Sequence, residues 1–554
     1  MIRNLLLTTF LSISFSFVLQ AQNTVGLLSY DFTKVYDGYN LIYPHNQPTA
    51  YLLNNCGEIV HSWTDSTNFR PGNTAYIMPD GNLIKTKRDA AIAGDPIWAG
   101  GGGETVEIRD WDNDLIWSFT QNSEFARLHH DIAPLENGNI LMISWELKTA
   151  TECLQAGRDT AILTQQKLWP DYILEVDPTT DQVVWEWHAW DHLIQDFDAT
   201  KDNFGVVEDH PELIDINYQT NGGDPDWLHA NALDYNEDLK QIMISIPTFS
   251  EIWVIDHTTT TEQAASHTGG QSGRGGDLMY RWGNPVTYGG GTAADQTLFY
   301  QHDVQWVDDF LEPTHPQYGK MAAFNNRIGT NYSTAEIFSQ PWDMYSWEYT
   351  YGPDNYGPAA SDQTFLHPDT FPMYSTGLSS IQVLPNGNTL LSSGRAGYTF
   401  ELTPQNEIVW EYKTPLIGGN PATQGDSLVT NNNLTFRCKR YPSNYLAFDN
   451  RDLSGKGYFE LEPNIDFCDI STNVVNPNDT YSLRIYPNPA DKMLTLEWEG
   501  WMYDRIEIFD LLGRRIESFE ATGGRKYLNT SDWNPGIYLL QINGADVRKL
   551  IIGH

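Results

Sequence analysis

Apolar and polar positions alternate with period two along most of this chain, in short runs cut by glycine, asparagine and proline. The pattern predicts half-buried strands joined by tight turns, and it lacks the three-and-four spacing of long amphipathic helices. Two phrases recycle. One is a hairpin turn: MPDGNLIKT at Met78–Thr86, LENGNILMIS at Leu135–Ser144 and LPNGNTLLSS at Leu384–Ser393. Gly and Asn there tolerate a positive φ while the flanking apolar residues pair across the hairpin. The other is a strand ending in aromatics: GEIVHSW, NDLIWSF, DQVVWEW and NEIVWEY, closing at Trp63, Phe119, Trp187 and Tyr412. Repetition of strand-turn-strand units predicts an all-β fold with radial repeats, a β-propeller over residues 22–479.

The pattern changes after ISTNVVNPNDTYS. LRIYPNPADKMLTLEW, DRIEIFDLLGRRI and GIYLLQI again alternate, and they predict a small β-sandwich over residues 480–554. Charge divides the chain at the same place. The whole sequence carries 33 Lys plus Arg against 72 Asp plus Glu, a formal net charge of −39, whereas Thr480 to His554 holds nine basic and ten acidic side chains. The acidic bulk repels phosphate backbones and anionic membranes, so nucleic acid is not an expected partner. Residues 1–21, with Arg3, the apolar run LLLTTFLSISFSFVL and the small Ala21, read as a secretory signal peptide. No later apolar run is long enough for a transmembrane anchor. In an oxidising compartment the four cysteines can pair, and Cys438 with Cys468 is the expected bridge.

Candidate chemistry lies at strand starts. His130 opens HDIAPLENGN, His229 opens HANALDYNED and His302 opens HDVQWVDDF, so in a radial repeat the three histidines converge on one axis. Imidazole can serve there as nucleophile, general acid or base, or zinc ligand. The chain has no HExxH, and neither metal nor cofactor is expected at that axis. Arg327, at the end of KMAAFNNR, offers a fixed fork of donors to a sulfuryl or phosphoryl group. Trp227, Tyr300, Trp306 and Asn325 adjoin these anchors and are expected to line an aromatic mouth. The glycine-rich Gly269–Gly291 segment lacks the Lys-Ser/Thr ending of a nucleotide loop and is expected near that mouth.

DWLHANALDYNEDLKQIMIS, SEIWVID, GDLMYRWGNP, TAADQTLFYQHDVQW, AAFNNR and LPNGNTLLSSGRAGYTFELT occur in order across most of residues 50 to 415. Together they resemble the arylsulfotransferase family, the PAPS-independent aryl-sulfate sulfotransferases. The resemblance implies a six-bladed β-propeller that moves a sulfuryl group from a phenolic sulfate donor to a phenolic acceptor through a sulfohistidine, without nucleotide or metal. It assigns His229 to the family's HxNxxxY histidine, His302 to its QH histidine and Arg327 to its sulfate-binding arginine. The family's nucleophilic histidine comes from a later blade. Here MYSTGLSSIQVLPNGNTLL carries only Ser379, Ser380 and Gln382 at that place, and His367 lies upstream. The expected order is therefore His302 as nucleophile and His229 as acid and base, with their interchange open and His130 beside them. Aryl-sulfate hydrolysis and a noncatalytic, ligand-binding surface propeller are the alternatives. The tail, with YPNPADKMLTLEW, FDLLGRRI and GIYLLQINGADVRKLIIGH, is similar to the C-terminal sorting domain of the Bacteroidota type IX secretion system. That likeness implies export through the periplasm, handling by the type IX machinery, and release or attachment at the cell surface.

Overall fold

A computed structural model describes residues 23–65, 69–89, 97, 100–465, 467–468, 483–488, 490–498, 505–510, 513–520, 525–542 and 546–553. The signal peptide expected at 1–21 and the boundary expected between 479 and 480 lie outside the described residues. The fold is all-β, with a few short helical turns in the connections.

Six antiparallel sheets follow one another along the chain, here called I to VI and given from the innermost strand outward. Sheet I is Thr435–Pro442, Gly38–Pro44, Thr49–Leu53 and Ile59–Thr64, and sheet II is Phe69–Ile77, Leu83–Asp89, Thr105–Arg109 and Leu115–Thr120. Sheet III is Ala126–Pro134, Ile140–Glu146, Asp171–Asp177 and Gln182–His188, and sheet IV is Ala232–Asn236, Gln241–Ile246, Glu251–Asp256 and Tyr280–Trp282. Sheet V is His302–Trp306, Met321–Asn325, Thr334–Phe338 and Gln363–Phe365. Sheet VI is Ser380–Val383, Thr389–Ser393, Tyr398–Leu402 and Ile408–Lys413, with Gly26–Tyr30 added on its outer edge. The glycine-rich segment supplies Tyr280–Trp282, the outer edge of sheet IV.

Inner strands of consecutive sheets touch in the order II, III, IV, V, VI, I, and the strand of I returns to that of II. Between each neighbouring pair lies one apolar cluster. Ile84, Val106 and Leu128 fill the space between II and III, while Ile143, Trp187, Ile244 and Trp253 fill that between III and IV. Leu41, Trp63 and Leu83 do the same between I and II. Each sheet is thus buried on both faces, at roughly 1.5–3 kcal/mol per fully buried large side chain.

The three recycled turns share one geometry. Gly81, Gly138 and Gly387 have φ of 89°, 90° and 86°, and each donates its N–H to the carbonyl three residues back, on Met78, Leu135 and Leu384. An Asp or Asn side chain before the glycine accepts from the backbone two residues on, as Asn137 Oδ1 does from Asn139 N at 2.9 Å. A β-carbon at these φ values is strained, which accounts for the recurring glycine.

The C-terminal strands, Leu483–Tyr486 through Asp546–Ile552, form one three-stranded and one four-stranded antiparallel sheet around Leu494, Leu496, Ile506, Ile508, Leu540 and Leu550. The disulfide differs from expectation. Cys468 is bridged to Cys56, their Cα atoms 5.4 Å apart, and Cys153 and Cys438 are free thiols. Cys438 sits within an inner strand, paired with Ile42 and 3% exposed, so its side chain is committed to packing between sheets VI and I.

Candidate active site

The histidines sit where regular pairing breaks at the start of inner strands. His130 and His229 have φ of 52° and 56°, a left-handed conformation uncommon for a side chain larger than glycine. The ladder slips by a bulge between Leu128 and Ile132, and again between His302 and Gln305. Such bulges re-aim side chains. The rings of His130 and His229 stand 4.7 Å apart, centroid to centroid, in a T-shaped contact. His130 and His302 both lie against Phe436, at 6.2 and 6.3 Å. The ring of Tyr300 lies 6.1 Å from His302 and carries the Arg327 guanidinium 3.5 Å above its centroid. A continuous row of side chains therefore runs from His229 to Arg327.

Each imidazole has a defined partner. Asn326 donates from Nδ2 to the carbonyls of Ser375 and Leu378, both at 3.0 Å, so its Oδ1 is the acceptor facing His302 Nδ1 at 2.8 Å. The neutral His302 ring consequently carries its proton on Nδ1 and its lone pair on Nε2. Burial pushes its pKa down to about 3 against the opposing bond to Asn326, so the ring is neutral across ordinary pH. His229 differs. Burial disfavours its cation, but Asp226, with a carboxylate oxygen 2.5 Å from Nδ1, together with Asp171 and Asp224 outweighs burial and raises the pKa above the ordinary value.

Burial also pushes His130 well below the ordinary value, and the neighbouring His229, His129, His302 and His45 push the same way. Its Nδ1 lies 2.8 Å from Nδ1 of His129, so one of the two rings donates to the other, and Asp171 lies 2.9 Å from His129 Nε2 on the far side. His129 is itself held by stacking on Trp145, at 3.7 Å. The walls are tight. A β-carbon on Gly101, where φ is 83°, would stand 1.9 Å from His130 Cε1, and one on Gly100 would stand 4.0 Å from His229 Cε1. Gly377 faces His302 and Arg395 together: a β-carbon there would lie 3.6 Å from His302 Cε1 and 3.7 Å from Arg395 Nη2.

Arg395 was not singled out in the sequence, although it stands in the quoted phrase SSGRAGYTF. Nor were Asn326, His129, Asp226 and Gly100–Gly103; AAFNNR and the run GGGG were the available signals. Among the expected mouth residues, Tyr300 is at the row. Trp227 is fully buried, donating to the Tyr218 carbonyl at 2.9 Å, and Trp306 is buried in the core between sheets IV and V. Asn325 is also buried, accepting from Phe299 N at 2.7 Å and donating to the Thr297 carbonyl at 2.9 Å. It shapes the loop before Tyr300 and does not face the histidines.

The two Asp residues that follow His130 and His302 point away from them. Asp131 accepts from Leu233 N at 3.0 Å and Asp303 from Ile381 N at 2.8 Å, each capping the inner strand of the next sheet. Arg437 lies between them, 2.6 Å from both carboxylates. Beyond this plug the axis opens into a cavity of about 290 Å³ lined by residues such as Tyr76, Asp234, Asp308 and Lys439.

The arrangement combines a neutral imidazole with a defined lone pair, a second imidazole whose protonated form nearby carboxylates favour, and two guanidinium groups, Arg327 and Arg395. It suits transfer of an anionic group.

The profile of the Arylsulfotransferase (ASST) family matches residues 42–419, and that of a secretion system C-terminal sorting domain matches residues 484–553. No curated protein matches the chain in sequence. Among solved structures, a protein of unknown function from Bacteroides caccae is 10% identical with a TM-score of 0.39, over 73% of this chain and 98% of that one. Virginiamycin B lyase from Staphylococcus aureus is 12% identical with a TM-score of 0.32, over 71% of this chain and 89% of that one. With its profile match spanning most of sheets I to VI, the chain belongs to the arylsulfotransferase (ASST) family.

Proposed function

We propose that sheets I to VI form a six-bladed propeller, followed by a small sandwich sorting domain, and that the axial cluster transfers a sulfuryl group between phenols. The family membership supports the aryl-sulfotransferase reading. The observation that carries the histidine mechanism is the His302–Asn326 bond at 2.8 Å, because it leaves the nucleophilic lone pair on Nε2.

In the proposed reaction Nε2 of His302 attacks sulfur of an aryl sulfate. An N–S bond forms as the S–O bond to the aryl oxygen breaks. His229, cationic through Asp226, gives its proton to the departing phenolate and becomes neutral. Arg327 and Arg395 hold the sulfuryl oxygens, and their attraction grows as charge redistributes in the transition state. A second phenol then gives its proton to His229 and attacks sulfur, the N–S bond breaks, and both imidazoles return to their starting forms. His130 borders His229 and takes part as a neutral ring, its Nδ1 bonded to His129. The family's later-blade histidine has no counterpart in MYSTGLSSIQV; the nearby cation there is Arg395, reached past Gly377.

Arg327 is exposed, which favours one second reading: water replaces the acceptor phenol and the product is free sulfate. Incubation with an aryl sulfate, with and without a second phenol, separates the two. Acceptor-dependent phenol release and a sulfated acceptor are expected. Equal release without acceptor selects hydrolysis, and no turnover across a panel of phenols selects a ligand-binding protein. The sorting domain points to secretion, and no described helix is long and apolar enough to cross a membrane. Removal of residues 1–21 on export, passage through the type IX machinery and a cell-surface or released destination complete the proposal.

A further inference from the structure

Away from the axis, at the outer edges of sheets III and IV, His192, His267 and Asp277 bring their ligand atoms within 4.8 Å of one another. Nδ1 of His192 lies 2.8 Å from Asp277 Oδ1, and Nδ1 of His267 lies 2.7 Å from the same oxygen. Nε2 of His192 is 2.8 Å from the Ala264 carbonyl, which can only accept. That nitrogen therefore bears a hydrogen, and a neutral His192 turns the lone pair of Nδ1 toward a carboxylate oxygen. Two lone pairs at this distance require a positive charge between them, either a proton or a metal ion.

We propose that His192, Asp277 and His267 bind one Zn²⁺, which fastens the segment after Gln182–His188 to the segment before Tyr280–Trp282. Two imidazoles and a carboxylate are a zinc set, whereas calcium and magnesium call for oxygen ligands. Anchoring the far N–H of a ligating imidazole on a carbonyl is the arrangement that fixes its tautomer in metal sites. The His192 and Asp277 side chains are 0% and 8% exposed, and Trp187 holds them in place: it stacks on His192 at 5.6 Å and donates to the Gly276 carbonyl at 2.7 Å. A β-carbon on Gly276 would come within 2.6 Å of His192 Nε2, so the close approach needs glycine. Ligand atoms around zinc stand roughly 3.4 Å apart for bonds of about 2.0–2.1 Å. The two contacts to Asp277 Oδ1, 2.8 and 2.7 Å, must therefore open slightly, through rotation of the Asp277 carboxylate and of His267, whose side chain is 59% exposed and leaves room for water as a fourth ligand. This site is separate from the proposed sulfuryl transfer and does not depend on it.

The test uses the full chain, stripped with a chelator and titrated with Zn²⁺ alone, with bound metal measured by mass spectrometry and stability by thermal melting. Wild type is expected to hold one equivalent that H267A and D277N lose and that H302A keeps, the last control excluding the axial imidazoles. Excess zinc should raise the melting temperature of wild type by about 2 °C or more and leave H267A unmoved. Exposure of His267 makes its alanine variant safe for folding, and coincident melting of wild type and H267A in chelator checks this. The proposal is overturned if wild type binds no stoichiometric zinc, if H267A retains it, or if melting depends on pH and not on zinc, as a protonated ion pair alone would require.

Discussion

At the scale of single residues, the account turns on which nitrogen of which ring holds a proton. Asn326 has no freedom in this respect, because both its Nδ2 hydrogens are spent on backbone carbonyls. Replacing it with leucine keeps the volume and removes the acceptor for His302 Nδ1. N326L is expected to lower kcat by roughly 10- to 100-fold with a smaller change in KM, in the range typical of losing an orienting partner. Asp226 acts on the other ring. Since it raises the His229 pKa, the acid form needed at the leaving oxygen is lost as pH rises through that raised value. In D226N the pKa falls, so the alkaline limb of the kcat–pH profile should move to lower pH; an unmoved limb would exclude His229 as the acid. On the acidic side His302, with a pKa of about 3, should impose no limb above about pH 4. Gly377 tests the space between His302 and Arg395. Its β-carbon would make only ordinary contacts, so G377A should melt with wild type while intruding where the sulfuryl group is proposed to sit, and a transfer rate unchanged by it would remove that placement.

At the scale of elements, the hairpins were legible because their turns need glycine at positive φ and the strands on either side need apolar residues that pair. The aromatic phrases were equally legible as Ile59–Thr64, Leu115–Thr120, Gln182–His188 and Ile408–Lys413, each the fourth strand outward in its sheet. What could not be read was which face a side chain takes near a strand start. His229 and Trp227 are two residues apart, yet the left-handed bend at His229 sends one ring to the cluster and leaves the other in the core between sheets III and IV. The aspartates of the two His-Asp pairs turn away from the cluster, each accepting from a backbone N–H one sheet on. Arg437, which joins them, comes from the last inner strand and has no local signal. Removing it with R437M leaves two carboxylates buried without their cation, a loss of about 3–5 kcal/mol. Denaturant unfolding should show it; a variant as stable as wild type would contradict the inter-sheet role.

At the scale of the whole molecule, the ends of the main body are tied in two ways. Gly26–Tyr30 completes sheet VI, and Thr435–Pro442 supplies the inner strand of sheet I, so the first and last strands each pair with the opposite end of the chain. The Cys56–Cys468 bridge, across 412 residues, adds a covalent tie to the same region. The expected Cys438–Cys468 pairing fails because the partner of Cys468 is selected by a turn near the N-terminus, which the spacing of the cysteines does not show. C56S is expected to destabilise the chain by about 2–5 kcal/mol, seen as a lower melting temperature under oxidising conditions, with little difference from wild type once both are reduced.

The central claim is that the sulfuryl group rests on His302 between donor and acceptor. Its most direct test is to mix the protein with an aryl sulfate in the absence of acceptor, quench, and locate added mass by peptide mapping under conditions that preserve N-sulfonated imidazole. The account predicts one SO₃ group on the peptide containing His302, absent in H302A and discharged when a phenol is added before the quench. The same mass on the His229 or His130 peptide with turnover intact, or transfer at the wild-type rate by H302A, would contradict it.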